Sequence, residues 1–431
     1  MGKQKTVHIC HPEIAEELLR LTWKENKRVV IAIAETMYKQ NNINARAISQ
    51  LNGPEWETTR KLVQQKLMKP RSVKVFFPSI NWSSDILIKQ LQEKEKVNDM
   101  LYELQKFTVD SIGMITLNRD LGNLHNTAAI DLPAVIDPIL RVIHETFFLP
   151  FNTYEYFRTK LYNECESNYL IVHKFVQNLC IEQEAELMKI VEEGVFDEHM
   201  ENNYNIFHGL LAEGNMSPEK INSIILDFFT TGITSSASLI LFLLIDLANN
   251  PDKQKVLYDE LSEVVGNESE IKKEHYDKMS YLKACVKESN RMRYPSFLGM
   301  IRFMETDATI AGYTIPKDTQ VIVHNEMMCS DERFFPKPNE YLPERWMRDG
   351  SADEIAKAYS VHPFIVKPFG HGARSCLGQR IAEVITMTCI AKIVKNFHVA
   401  LPPNKSDVKW SRRVFPVPDD KVQMCLNPRR L

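Results

Sequence analysis

The chain has 431 residues, 44% of them hydrophobic and 25% charged, with a formal net charge of −3. That composition excludes disordered, collagen-like and coiled-coil architectures, and the near-neutral charge argues against nucleic-acid binding, which wants a strongly basic domain or stripe, while leaving room for local basic patches. With 15 Gly, 21 Pro and no low-complexity stretch to mark a linker, one large domain over residues 1–431 is expected.

The first ten residues, Met1 to Cys10, carry neither an apolar signal core nor an Arg/Ser-rich presequence. Val7 to Cys10 reads as a strand. Apolar residues at i, i+3, i+4 and i+7 predict helices near 12–22, 54–68, 97–117, 165–194, 218–249, 251–264, 278–293 and 378–396. Asn52-Gly53-Pro54 and Ser217-Pro218-Glu219 supply plausible caps. Further strands are expected at Ala308 to Ile315, Thr319 to Val323 and Lys421 to Leu426. The fold class is therefore mainly α with a small β-rich region. The longest apolar stretch, Leu239 to Ala248, contains Asp246 and falls short of the roughly 20 residues that cross a bilayer. Pro recurs at 336, 338, 343, 363 and 368, so a long irregular segment is expected there. The eight cysteines form no C-x-x-C pair, which predicts mostly buried thiols in a reducing compartment.

One motif is sharp. Phe369-Gly370-His371-Gly372-Ala373-Arg374-Ser375-Cys376-Leu377-Gly378 fits F-x-x-G-x-R-x-C-x-G, a pattern that chance would give in about one such chain in ten thousand. Gly372 and Gly378 permit tight turns, amides around Cys376 can donate to its sulfur, and Arg374 can neutralise an anionic cofactor edge. A helix beginning near Leu377 would favour the thiolate.

This motif resembles the cysteine loop of the haem-thiolate monooxygenases, the cytochromes P450. The resemblance implies haem b, with Cys376 as the axial iron ligand, Phe369, Gly370, Gly372 and Gly378 shaping its loop, and Arg374 on a propionate. Trp56 and Arg60 resemble the family's W-x-x-x-R helix, and Arg302 the arginine ahead of its G-Y-x-I-P turn, both propionate contacts. Glu288 and Arg291 fit its E-x-x-R pair and would join Arg345, in Pro343-Glu344-Arg345-Trp346, as a buried clamp. E-x-x-R also occurs at Glu17/Arg20, Glu25/Arg28, Glu57/Arg60 and Glu155/Arg158, where surface i,i+3 pairing is expected.

The family's oxygen-activating pattern is A/G-G-x-D/E-T-T/S, whereas this chain has Thr231-Gly232-Ile233-Thr234-Ser235-Ser236. Gly232, Thr234 and Ser235 would face the oxygen, with Thr234 in place of the acid, so slower proton delivery is expected. By position, Ser296 to Met300 and Val414 to Val417 would line a substrate cavity. Gly53 to Trp56, Leu67 to Arg71, Leu117 to Gly122 and His362 to Phe364 are similar to the mitochondrial animal class. That class takes NADPH-derived electrons from an iron–sulfur ferredoxin, and Lys283, Lys287 and Arg380 match its ferredoxin-binding residues. The resemblance thus implies O₂, a lipophilic substrate of steroid, ecdysteroid or foreign type, and peripheral contact with the matrix side of the inner mitochondrial membrane, or alternatively the endoplasmic reticulum. A haem-thiolate isomerase or dehydratase and a non-catalytic haem-binding protein are the alternative readings. Residue 7 would lie in the family's second strand, so its first helix and strand, hinge and targeting segment are expected to be missing.

Overall fold

The computed structural model describes residues 5–22, 24, 27–67, 70–149, 152–296, 299–347, 361–403, 405 and 407–429. Its helices are α1 (Pro12–Leu21), α2 (Ala32–Gln40), α3 (Gly53–Leu67), α4 (Pro70–Gln92), α5 (Met100–Leu117), α6 (Leu132–Thr146), α7 (Lys160–Glu192), α8 (Phe196–Asn202), α9 (Ile206–Leu211), α10 (Pro218–Asn249), α11 (Pro251–Val264), α12 (Lys273–Lys278), α13 (Ser280–Met292), α14 (Asn325–Cys329) and α15 (Gln379–Asn396). Short strands complete it: β1 (Thr6–Ile9), β2 (Lys96–Val97), β3 (Met300–Phe303), β4 (Ala308–Ile310), β5 (Tyr313–Ile315), β6 (Gln320–Val323), β7 (Phe397–Ala400), β8 (Trp410–Arg412), β9 (Pro416–Pro418) and β10 (Met424–Pro428). The mainly α expectation holds.

α10 is the central helix. Ser217 caps it by accepting from the Lys220 amide, and Pro218 occupies the first turn, where its missing N–H costs nothing. Ile224, Ile225, Phe229, Ile233, Ile240 and Leu243 are fully buried among α5, α7, α13 and α15. By length and apolarity α10 could cross a bilayer, contrary to the expectation from its longest uninterrupted apolar run. Its apolar surface instead forms the core of the protein. Gly232 brings α10 close to α5, since a Cβ there would meet Ile112 Cδ1 at 2.9 Å.

A second, smaller core lies beneath the sheet β1-β6-β3, where Ile9, Leu18, Leu19, Val321 and Val323 pack with Phe335 and Ile365. β1 pairs with β6 in parallel, and β3 with β6 antiparallel. β4 and β5 form a hairpin whose turn residues, Ala311 and Gly312, both have positive φ, as the right-handed twist of a two-residue hairpin requires. β10 pairs with β2 and β7, and β8 with β9. The final strand therefore runs over 424–428 rather than from Lys421.

Seven of the described helices, α2, α4, α6, α8, α9, α12 and α14, go beyond the periodic signal. α4 contains Pro78 and α6 contains Pro138, each of which removes a helical hydrogen bond at a cost of about 3 kcal/mol. Packing overrides that cost in α4, where Phe76, Phe77, Ile80, Leu87 and Leu91 are buried against α5 and α15. α2, with nine residues, is too short for a clear period.

Candidate functional site: a cysteine loop facing an arginine-lined cavity

The loop before α15 is built by two glycines in the left-handed region, Gly370 (φ +75°) and Gly372 (φ +74°), a conformation that costs other residues about 1 kcal/mol or more. Gly370 N donates to Lys367 O (2.9 Å), Ser375 N to Gly372 O (3.0 Å) and Cys376 N to Phe369 O (2.8 Å). Gly378 differs from expectation: as the N-cap of α15 it has φ −80°, open to any residue. A Cβ there would sit at an ordinary 3.8 Å from Cys376 Sγ. What position 378 contributes is its N–H, which with that of Gln379 is directed at the sulfur. Burial raises the Cys376 thiol, while these amides and the Arg28 and Arg60 guanidiniums pull it down. Cys376 is exposed by area yet deep within the protein, because it opens onto an internal cavity.

That cavity measures about 620 Å³, and Ile33, Ile112, Ile139, Ile143, Ile224 and Phe228 supply apolar wall. Four arginines converge on its cysteine side. Arg374 donates to Leu51 O (2.6 Å) and Asn52 Oδ1 (2.9 Å) and lies 3.9 Å over the Trp56 ring. Arg60 donates to Ser375 O (2.7 Å), Arg302 to His371 O (2.6 Å) and Arg28 to Arg374 O (2.6 Å). Burial and then repulsion from Arg28, Arg60 and Arg302 push Arg374 down to about 9, and burial lowers Arg60 to about 10. Among the described residues lining the cavity, Asp227 is the carboxylate, and it accepts from Ser49 N and Ser49 Oγ, both at 2.9 Å. A soft sulfur donor, clustered guanidiniums and apolar walls fit a largely apolar group that carries a thiophilic metal and an anionic edge.

Glu288 on α13 gathers a buried network of donors. Arg291 grips it twice (3.0 and 2.9 Å), and Arg345 Nε (3.2 Å), Trp346 Nε1 (2.9 Å) and Leu342 N (3.2 Å) also donate to it. Both Glu288 and Arg291 are fully buried. The other E-x-x-R matches make no such pair among the described contacts: Arg20 bonds Glu16, Arg158 bonds Glu166, Arg60 reaches Gln64 and Ser375, and Arg28 turns into the cavity.

On α10, Gly232 and Ser235 line the cavity, as do Thr230 and Thr231. Thr234 is placed elsewhere. It is buried outside the cavity lining, and its hydroxyl donates to Asp137 Oδ1 on α6 at 2.8 Å. A helix turns each successive residue by about 100°, so neighbours at 234 and 235 cannot face one cavity equally. Ser235 Oγ is bonded back to Thr231 O at 2.7 Å.

Ser296, Gly299, Met300, Val414 and Phe415 line the cavity, while Phe297 and Leu298 lie outside the described residues. Lys283 and Lys287 share a face of α13, with Lys283 Nζ 4.9 Å from the Tyr276 ring and Lys287 Nζ 5.8 Å from that of Trp346. Arg380, exposed at the start of α15, also acts electrostatically on Tyr276. Two site residues carry no local signal. Arg28 meets Arg374 across 346 positions, and Asp137 meets Thr234 across 97.

The family model described as Cytochrome P450 matches residues 1–426. The chain is 31% identical over 373 residues to the probable cytochrome P450 49a1 of Drosophila melanogaster, covering 81% of this chain and 60% of that protein. It is 29% identical over 388 residues to the probable mitochondrial cytochrome P450 12a5 of the same organism, covering 86% and 71%. It is also 26% identical over 385 residues to the mitochondrial sterol 26-hydroxylase of Mus musculus, covering 86% and 70%.

Proposed function

Because this chain belongs to the cytochrome P450 family, we propose that it is a single-domain haem-thiolate monooxygenase acting on a lipophilic substrate. The observation that carries this reading is the cavity onto which the Cys376 sulfur, four arginines and an apolar wall all open. When bound, haem b would supply the activation of O₂ by NADPH-derived electrons and the transfer of one oxygen atom, which a thiolate ligand favours.

The chain's own residues do the rest. Cys376 holds the iron, and the amides of Gly378 and Gln379 direct N–H groups at its sulfur. Arg28, Arg60, Arg302 and Arg374 neutralise the two propionates, and Trp56 stacks under Arg374. The isoleucine-rich wall desolvates and orients the lipophile. Gly232 and Ser235 border the space where oxygen would bind. Glu288, Arg291 and Arg345 keep the cysteine loop in register. A relative named sterol 26-hydroxylase supports a sterol-like substrate, and the relatives named mitochondrial support a mitochondrial site and a ferredoxin donor docked at Lys283, Lys287 and Arg380. The placement of Thr234 away from the cavity, with Ser235 bonded to its own helix, favours as second reading an isomerase or dehydratase that needs no electrons.

The test is a reduced, carbon-monoxide difference spectrum followed by NADPH-driven turnover with and without ferredoxin. A thiolate-type spectrum with ferredoxin-dependent product is expected. Product formed equally without electrons would support the second reading. The Lys283→Glu, Lys287→Glu double variant should lose at least about tenfold in ferredoxin affinity, and unchanged affinity would remove that face from the docking surface.

A further inference from the structure

One part of the cavity wall is polar without being cationic. Tyr38 on α2, Tyr169 on α7 and Asp227 on α10 all line the cavity, and each is more than nine-tenths buried. Resting on the monooxygenase reading, we propose that these three side chains form a specificity site for an alcohol, binding a free hydroxyl of the lipophilic substrate and so setting which part of it faces the haem.

Three observations carry this. First, the phenols have a proton to spare. Their rings stand edge-on with centroids 5.9 Å apart, their hydroxyls are bonded to each other, and the Ala47 amide donates to that of Tyr38. Each phenol brings one O–H. The mutual bond uses one of these protons and leaves the other without an acceptor among the described contacts. A buried donor in that state is costly, and a ligand oxygen relieves it. Second, Asp227 has lone pairs to spare. Ser49 N donates to Oδ2 and Ser49 Oγ to Oδ1, both at 2.9 Å, whereas each carboxylate oxygen can accept about two such bonds. Burial raises the Asp227 carboxyl, while Ser49 and then Arg28 hold it down, and its charge reaches both phenols. Third, the hydroxyls of Thr116, Thr230, Thr231 and Ser235, which also line the cavity, are spent on helix carbonyls at 2.6, 3.0, 2.6 and 2.7 Å. They offer a ligand no free proton, and the tyrosine pair does.

That combination selects a chemical class. An alcohol accepts from the phenol and donates to Asp227. A ketone or ether also accepts, but has no proton for the carboxylate. A carboxylate ligand is repelled by Asp227, and an ammonium group leaves the phenol proton unanswered. Position follows as well. Asp227 precedes Gly232 on α10 by five residues, about 7.5 Å along the helix axis, so a hydroxyl held there directs oxidation to carbon remote from it.

The experiment titrates the haem-loaded protein with dodecanol and with dodecyl methyl ether, which keeps the oxygen acceptor and lacks the proton, and follows the shift of the haem absorption band. The parent should bind the alcohol at least about tenfold more tightly than the ether. Asp227→Asn, whose amide can donate, should admit the ether and bring the two affinities within about threefold of each other. Replacing both Tyr38→Phe and Tyr169→Phe should weaken alcohol binding by at least about tenfold. Haem content and the carbon-monoxide spectrum should match the parent in both variants, which separates lost recognition from lost fold. Equal affinity of the parent for alcohol and ether, or a preference unmoved in both variants, would overturn the proposal, as would oxidation of dodecanol at its hydroxyl-bearing carbon. The shift needs haem but no electrons. A parent that discriminates alcohol from ether yet forms no product with NADPH and ferredoxin would therefore overturn the monooxygenase reading and leave the alcohol site standing.

Discussion

Replacing Arg374 by Met should separate the stability of the polypeptide from its hold on haem. Arg374 is 5% exposed, and burial and then repulsion from Arg28, Arg60 and Arg302 push it down to about 9. In a dry site that displacement corresponds to about 5 kcal/mol, and water filling the cavity reduces it to about 1–3 kcal/mol. The side chain also makes bonds to Leu51 O and Asn52 and stacks on Trp56, together contributing about 2–3 kcal/mol. The two effects nearly offset, so the variant should unfold in urea within about 1 kcal/mol of the parent when haem is absent. With haem present, the lost contact to a carboxylate should lower haem affinity by at least about tenfold. Equal destabilisation with and without haem would refute this reasoning.

Cys376→Ala should abolish the thiolate-type spectrum, since Cys165, which also lines the cavity, is a thiol that burial pushes up to about 12; its persistence would reassign the ligand. Glu288→Gln leaves Arg291 and Arg345 buried without their carboxylate and should cost about 3–5 kcal/mol in urea unfolding, with a loss below about 1 kcal/mol counting against the clamp. Thr234→Asp brings a second carboxyl against Asp137 and should destabilise the fold by about 2–4 kcal/mol near neutral pH. Because Asp137 is already raised, the folded state takes up protons before the unfolded one, so this loss should shrink as pH falls toward about 5. Equal losses at both pH values would show that the two side chains do not meet.

The cysteine loop could be read from sequence because its constraints are local: the positive-φ positions of Gly370 and Gly372 and the amides about Cys376 fall within ten residues. The Glu288 hub was also within reach, since Arg291 lies one turn away and Arg345 in a recognisable segment. What escaped depends on contacts between distant segments. Arg28 belongs to an E-x-x-R match that suggests a surface pair, and nothing near it announces Arg374. Asp137 stands beside Pro138, which weakens the helical pattern of α6, and only the packing of α6 on α10 brings it to Thr234. α4 forms despite Pro78 because its aromatic face is buried, a tertiary effect that overrides local propensity.

The donors gathered by Glu288 stand as far as 54 to 58 residues along the chain from it. Closing a loop of that length costs about 3–4 kcal/mol of chain entropy, less than leaving one buried charge without its partner. Partial versions of the contact are thus less stable than either none or all of it, and it closes cooperatively once β3 to β6 and α14, which lie within the loop, are in place. The chain that follows is hung from this framework, with Tyr294 Oη on Lys367 O and Asn325 on the carbonyls of Phe364 and Ile365. Protein contacts thus tie the segment that leads to Cys376 to the framework gathered around Glu288.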